Sequence, residues 1–112
     1  MPQACSLADK KCVPCEGGTP PLSEEKSRAY LSELGEGWAL EEGKLVRTFK
    51  FRRFVEAIAF VNRVAEIAEA EGHHPNITIN YNRVRLELFT HAIKGLSEND
   101  FILAAKINQI PG

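Results

Sequence analysis

The chain predicts an α+β fold, a two-layer sandwich in which a four-stranded antiparallel sheet carries three helices packed on one face. Two observations predict it. Apolar residues recur at helical spacing in three stretches, and at alternating spacing in two paired stretches between them. The resulting order is helix, hairpin, helix, hairpin, helix. Amphipathic helices and a sheet with one apolar face bury most simply against each other. Residues 1–22 stand apart. They carry Gly17, Gly18, Pro20 and Pro21 with little periodicity, and read as an irregular arm before one domain over 23–112.

Each element has its own signals. Ser23 is a good N-cap, followed by Glu24 and Glu25 at the positive helix end. Ala29, Tyr30, Leu31 and Leu34 then recur at helical spacing, and Gly35 is expected to end the helix in the left-handed conformation. Trp38 to Leu40 and Leu45 to Phe51 read as two strands turning at Glu42-Gly43. Leu45, Phe49 and Phe51 share a face with Arg47, whose stem must reach past the core edge. The longest helix is expected from Phe54 to Glu71, with Val55, Ile58, Val61, Ala65 and Ala68 as its apolar stripe and Gly72 as its stop. A hairpin over 77–81 and 84–90 follows. The last helix starts at the N-cap Ser97, with Glu98 and Asp100 in its first turn, and buries Phe101, Ile102, Ala104, Ala105 and Ile107. Its Phe101 and Ile102 are also expected to offer a contact between copies of the chain, because both cannot easily face the same core as Ala104 and Ile107.

Composition excludes more than it identifies. Apolar residues make up 44% and charged residues 26%, as in an ordinary soluble domain. A net charge of −1 gives no electrostatic reason to expect nucleic acid or membrane binding. The N-terminus lacks the basic and apolar regions of a signal peptide, and no apolar run could span a bilayer, so a cytoplasmic location is expected. Cys5, Cys12 and Cys15 all lie in the arm. Cys12-Val-Pro-Cys15 has the spacing of half a zinc site or a redox pair, but no second such pair occurs. Free thiols in a loosely held tail are the simplest reading, with metal binding or a regulatory disulfide as alternatives.

All three histidines fall in two short segments, Gly72-His73-His74-Pro75 and Thr90-His91. Histidine is the side chain most easily poised to exchange a proton near neutral pH. With Asn82-Arg83 as a two-residue loop, Tyr81 pairs with Val84, Ile79 with Leu86 and Ile77 with Leu88, and the same count sets His74 opposite His91. Pro75 cannot donate to the ladder and is expected to end it early, so proximity of the two rings rather than ideal pairing is expected. His73 and His74, being adjacent, point in different directions unless the chain bends, which Gly72 and Pro75 encourage. Glu69, one turn before His73, is a candidate to orient a histidine. Asp100 can fold back over Thr90-His91 through Gly95-Leu96. Taken singly, Glu69 is a solvated helix face and Asp100 a helix-dipole acid. Zinc is the rival occupant, because three imidazoles can hold it, although the helical His-x-x-x-His spacing is absent.

Glu69-x-x-x-His73-His74-Pro75, Tyr81-Asn82-x-Val84, Thr90-His91, Gly95-Leu96-Ser97 and Asp100 together resemble the pterin-4a-carbinolamine dehydratase family over roughly residues 23–109. Asn99 to Ile107 is similar to bacterial members. Ile77 stands where many members carry an aromatic residue, and Gly72 where some carry an acid. The resemblance implies dehydration of a 4a-hydroxytetrahydropterin to the quinonoid dihydropterin and water, in tetrahydrobiopterin recycling, with no metal or redox cofactor. It implies catalytic roles for His73, His74 and His91, and substrate binding by Glu69, Pro75, Thr90, Ala92, Ile93 and Asp100. It also implies an aromatic amino-acid hydroxylase as pathway partner and a homodimer or homotetramer. The alternative it carries is a non-catalytic protein-binding or assembly module, since members also stabilise dimers of a homeodomain transcription factor or serve as assembly factors.

Overall fold

The computed structural model describes residues 21–35 and 37–110, so the cysteine arm lies outside the described residues. Three helices and four strands follow in the expected order: α1 (Glu24–Leu34), β1 (Ala39–Glu41), β2 (Lys44–Lys50), α2 (Phe54–Glu71), β3 (Asn76–Asn80), β4 (Arg83–Leu88) and α3 (Glu98–Asn108). The strands form one antiparallel sheet in the order β1-β2-β4-β3. The α+β sandwich expected from the sequence is the architecture found. Leu22 packs against the core and its N–H donates to the Leu96 carbonyl, tying the start of the described chain to the loop before α3.

The two hairpins close differently. Glu42 and Gly43 both take positive φ in the β1–β2 turn, as that short connection requires. In the second hairpin the loop is Tyr81-Asn82, not Asn82-Arg83. Ile79 therefore pairs with Val84 and Ile77 with Leu86, while Leu88 pairs with Leu45 of β2. Asn82 explains the change. Its side-chain amide donates to the Phe51 carbonyl at 2.7 Å, and its carbonyl accepts from the Phe51 N–H at 2.8 Å. That double contact holds Asn82 in the turn and leaves Tyr81 to adopt a φ of 55°. The ladder has slid by two residues, so every side chain keeps its face. The β3–β4 ladder ends at Asn76 and Glu87, just after Pro75, so the pairing stops short of His74 as expected from that proline.

Two helix faces also differ from expectation. The buried residues of α2 are Ala57, Phe60, Val64 and Ala68; Ala65 is exposed, and Val55 is 55% exposed. An aromatic cluster sets this rotation. Phe60 lies 4.5 Å from Phe49 and 5.1 Å from Phe51 between ring centroids, and Phe49 meets Trp38 edge-on at 6.1 Å. Large rings contribute more buried area than Val55 or Ala65 could, so they decide which face turns inward. In α3, Phe101 and Ile102 are both buried, which overturns their expected role as a contact between copies. The helix packs against α1 and α2 and so has no wholly free side. Leu103 is buried with them, whereas Ala105 is only half-buried. Burying a side chain such as Phe101 or Leu103 stabilises the fold by roughly 1.5–3 kcal/mol.

Asn108 joins three elements at one corner. Its Oδ1 accepts from Trp38 Nε1 at 2.7 Å and from Arg47 Nη1 at 3.0 Å, and its Nδ2 donates to the Leu34 carbonyl at 3.2 Å. Arg47 thus leaves the core edge as expected, with its guanidinium 4.4 Å over the Phe49 ring. Gly35 ends α1 at φ 82°, ψ −158°, a positive-φ conformation outside the left-handed helical region expected for it. On the sheet's other face, Arg85 donates to Glu87 and Glu41. That guanidinium holds the Glu87 carboxyl below its ordinary range.

Candidate functional site

The end of α2 sets the histidines. Gly72 is in the left-handed conformation, and its N–H donates to the Glu69 carbonyl while the His73 N–H donates to the Ala68 carbonyl. These bonds close the helix and reverse the chain direction just before the two imidazoles. His73 then turns inward and His74 outward. His73 Nε2 lies 2.6 Å from Asp100 Oδ1, with side-chain exposures of 13% and 0%. His74 Nε2 lies 2.6 Å from Glu69 Oε2, with both side chains largely exposed. Glu69 therefore meets His74, five residues on, and not His73. The two rings point in different directions, each against its own carboxylate.

Asp100 is the centre of the arrangement. Its Oδ2 accepts from Thr90 Oγ1 at 2.8 Å and from the Ser97 N–H at 2.9 Å, while Oδ1 faces His73. The Ser97 contact is the reach-back half of a capping box, so Asp100 is at once a helix-start acid and a buried bridge. Thr90 and Ser97 hydroxyls also meet at 2.8 Å. Sequence reasoning assigns Ser97 only to the helix cap; its Ser-x-x-Asp spacing was the signal for this further contact.

Thr90 opens a loop that returns on itself. Its N–H donates to the Gly95 carbonyl at 3.0 Å, and the Gly95 N–H donates back at 3.3 Å. Within this closure His91–Ile93 form a single 3-10 turn, and Lys94 reverses direction in the left-handed region. His91 and Ala92 are exposed, Ile93 is buried, and Pro75 is half-buried. The His91 ring stands edge-on to Phe89 at 5.1 Å. The link between the two histidine segments is thus the chain His73–Asp100–Thr90 followed by His91, rather than a strand ladder. Among the described residues, no group of three or more His, Cys, Asp or Glu side chains has the geometry to hold a metal ion.

A charged carboxylate accepts hydrogen bonds only. Opposite ionised Asp100, His73 Nε2 must carry the proton, which leaves Nδ1 to accept one. The same reasoning applies to His74 opposite Glu69. Each carboxylate therefore selects a tautomer and fixes the orientation of its ring. Such a pair of rings can give or accept a proton without leaving its support.

A small α+β domain with carboxylate-held histidines where α2, β4 and α3 meet suits acid–base chemistry on a small molecule. The comparisons give the family. The pterin 4 alpha carbinolamine dehydratase family model matches residues 20–110, and the chain belongs to that family. A protein of Nitrosomonas eutropha bearing the provisional name pterin-4-alpha-carbinolamine dehydratase is 49% identical over 110 residues, covering 98% of this chain and 97% of its own. A protein of the same provisional name from Methylococcus capsulatus is 49% identical over 109 residues, covering 96% of this chain and 95% of its own. The crystal structure of a transcriptional coactivator/pterin dehydratase from Brucella melitensis is similar with a TM-score of 0.77 and 36% identity, over 82% of this chain and 99% of that one. A pterin dehydratase-like RuBisCO assembly factor of the alpha-carboxysome, 24% identical with a TM-score of 0.58, covers 67% of this chain and 89% of its own, and shares the fold.

Proposed function

We propose that this chain dehydrates 4a-hydroxytetrahydropterins by histidine acid–base catalysis, as a step of tetrahydropterin recycling after aromatic hydroxylation. The supporting observation is the His73–Asp100–Thr90 network beside His91, in a chain of the pterin dehydratase family. In the reaction one imidazole takes the proton from ring nitrogen 5. A protonated imidazole donates to the hydroxyl on carbon 4a, which leaves as water as the nitrogen 5 electron pair forms the new C=N bond. Glu69 and Asp100 act by holding His74 and His73. Pro75 and Ala92 border the histidines, and buried Ile93 would support such a pocket from beneath. Proton transfer of this kind contributes about 10²–10⁴-fold.

Stopped-flow absorbance on a freshly generated carbinolamine should show quinonoid product forming faster with protein than in buffer, and equally fast with chelator added. No acceleration, or activity abolished by chelator, rejects this mechanism. The non-catalytic alternative, a protein-binding or assembly module, predicts no acceleration. The retained histidines and their carboxylates favour catalysis over it.

We further propose a homo-oligomer, at least a dimer. The edge strand β3 has five residues, is largely exposed and carries no charged side chain, and Ile79 on it is 40% exposed. An uncharged, open edge of this kind invites pairing with another chain. Light scattering at micromolar concentration should give a mass of at least twice the 12.5 kDa of one chain. A single-chain mass that does not change on concentration excludes this assembly.

A further inference from the structure

A groove of about 710 Å³ lies at the end of the domain away from the histidines. Its position follows from the topology. Lys50 and Arg83 form the last rung of the β2–β4 ladder, and α2 starts beyond it and runs back toward His73. The groove is lined by α2 from Glu56 to Arg63, so it lies along the first half of this 18-residue helix, whereas the histidine pair follows its last residue. The volume is within the range of about 300–1,000 Å³ typical of small-molecule sites.

The lining combines two chemistries. Phe51, Phe60 and Ile110 give an apolar floor, two of them aromatic rings packed 5.1 Å apart. Lys50, Arg52 and Arg63 give the walls. Among the described residues, none of these three cations has a side-chain hydrogen bond or ion pair. Glu56, the acid in the lining, accepts a hydrogen bond from the Arg52 backbone N–H at 3.3 Å. Three cations against one carboxylate leave a local excess of two positive charges in a chain whose net charge is −1.

Folding alone does not favour this concentration of charge. Lys50 directly opposite Arg83 is a like-charge cross-strand pair, which destabilises a sheet. Arg52 and Arg53 precede the first turn of α2, where the helix dipole favours anions, and Arg53 provides no side-chain cap. Local rules broken together at a concave surface mark a site kept for binding. Guanidinium groups recognise carboxylates with paired hydrogen bonds, and a flat apolar body would cover Phe51 and Phe60.

We propose that this groove is a second binding site, for a small aromatic carboxylate. The site is independent of the histidine chemistry. Its test is an amide NMR titration with 2-naphthoate, with 2-naphthylmethanol and acetate as the neutral and the body-less controls. Naphthoate should give saturable shifts at Phe51, Arg52, Ala59 and Arg63, with Kd below about 1 mM. Each control should bind about tenfold more weakly or worse. R52Q and R63Q, both at exposed positions, should each weaken naphthoate about tenfold while leaving the amide spectrum folded. Equal binding of the neutral alcohol or of acetate overturns the proposal. So do shifts centred on His73 and His74, or the absence of saturable shifts at the groove.

Discussion

Pterin dehydration should slow by about 10- to 10⁴-fold in His74→Ala, and by a similar factor in His91→Ala. Both positions are exposed and neither belongs to the apolar core, so the variants should keep the wild-type thermal midpoint to within a few degrees. The loss is therefore chemical rather than structural. Glu69→Gln refines the expectation. It keeps the shape of the group against His74 but can set an amide NH₂ where a carboxylate oxygen accepts from the ring, which loosens the hold on that ring's tautomer. Its rate should fall between that of wild type and that of His74→Ala. Stopped-flow rates across pH, beside thermal melts, make the measurement. Wild-type rates in both alanine variants, with intact folding, would place the chemistry elsewhere on the molecule.

Periodicity made the element order legible because each helix and strand buries one face, and burial writes its period into the chain. Ser23, Ser97 and Gly72 marked their boundaries for local reasons, through caps and a positive-φ stop. What the sequence left open depended on contacts between distant residues. The second hairpin slid because Asn82 bonds Phe51, 31 positions away. The face of α2 turned because Phe60 meets two rings of β2 and the segment after it. No count along a single segment contains either contact. The candidate site divides along the same line. Asp100 folding back to Thr90 was readable, because Gly95-Leu96 forces a short return. The partner of Glu69 was not, because the left-handed turn at Gly72 changes the phase of everything after the helix.

Asp100→Ala should be the most destabilising substitution at the candidate site. The side chain is fully buried and meets His73, Thr90 and the Ser97 N–H. Truncation leaves those groups without their acceptor in a region closed to solvent, at a cost of about 3 kcal/mol. For a domain of this size that lowers the thermal midpoint by roughly 10–20 °C. Asp100→Asn separates the chemical role from this structural one. The Ser97 N–H and Thr90 hydroxyl both donate to Oδ2, so the amide oxygen must take that place and the NH₂ must face His73 Nε2. Nε2 must then accept, and the ring proton moves to Nδ1. The nitrogen left to accept a proton is now the buried one. The variant should melt close to wild type yet lose about 10²-fold or more in rate, as expected when a carboxylate that sets a histidine tautomer becomes an amide. Ring nitrogen shifts of His73 read the tautomer directly. A full rate with the tautomer reversed would remove His73 from proton transfer and leave Asp100 as a structural bridge alone.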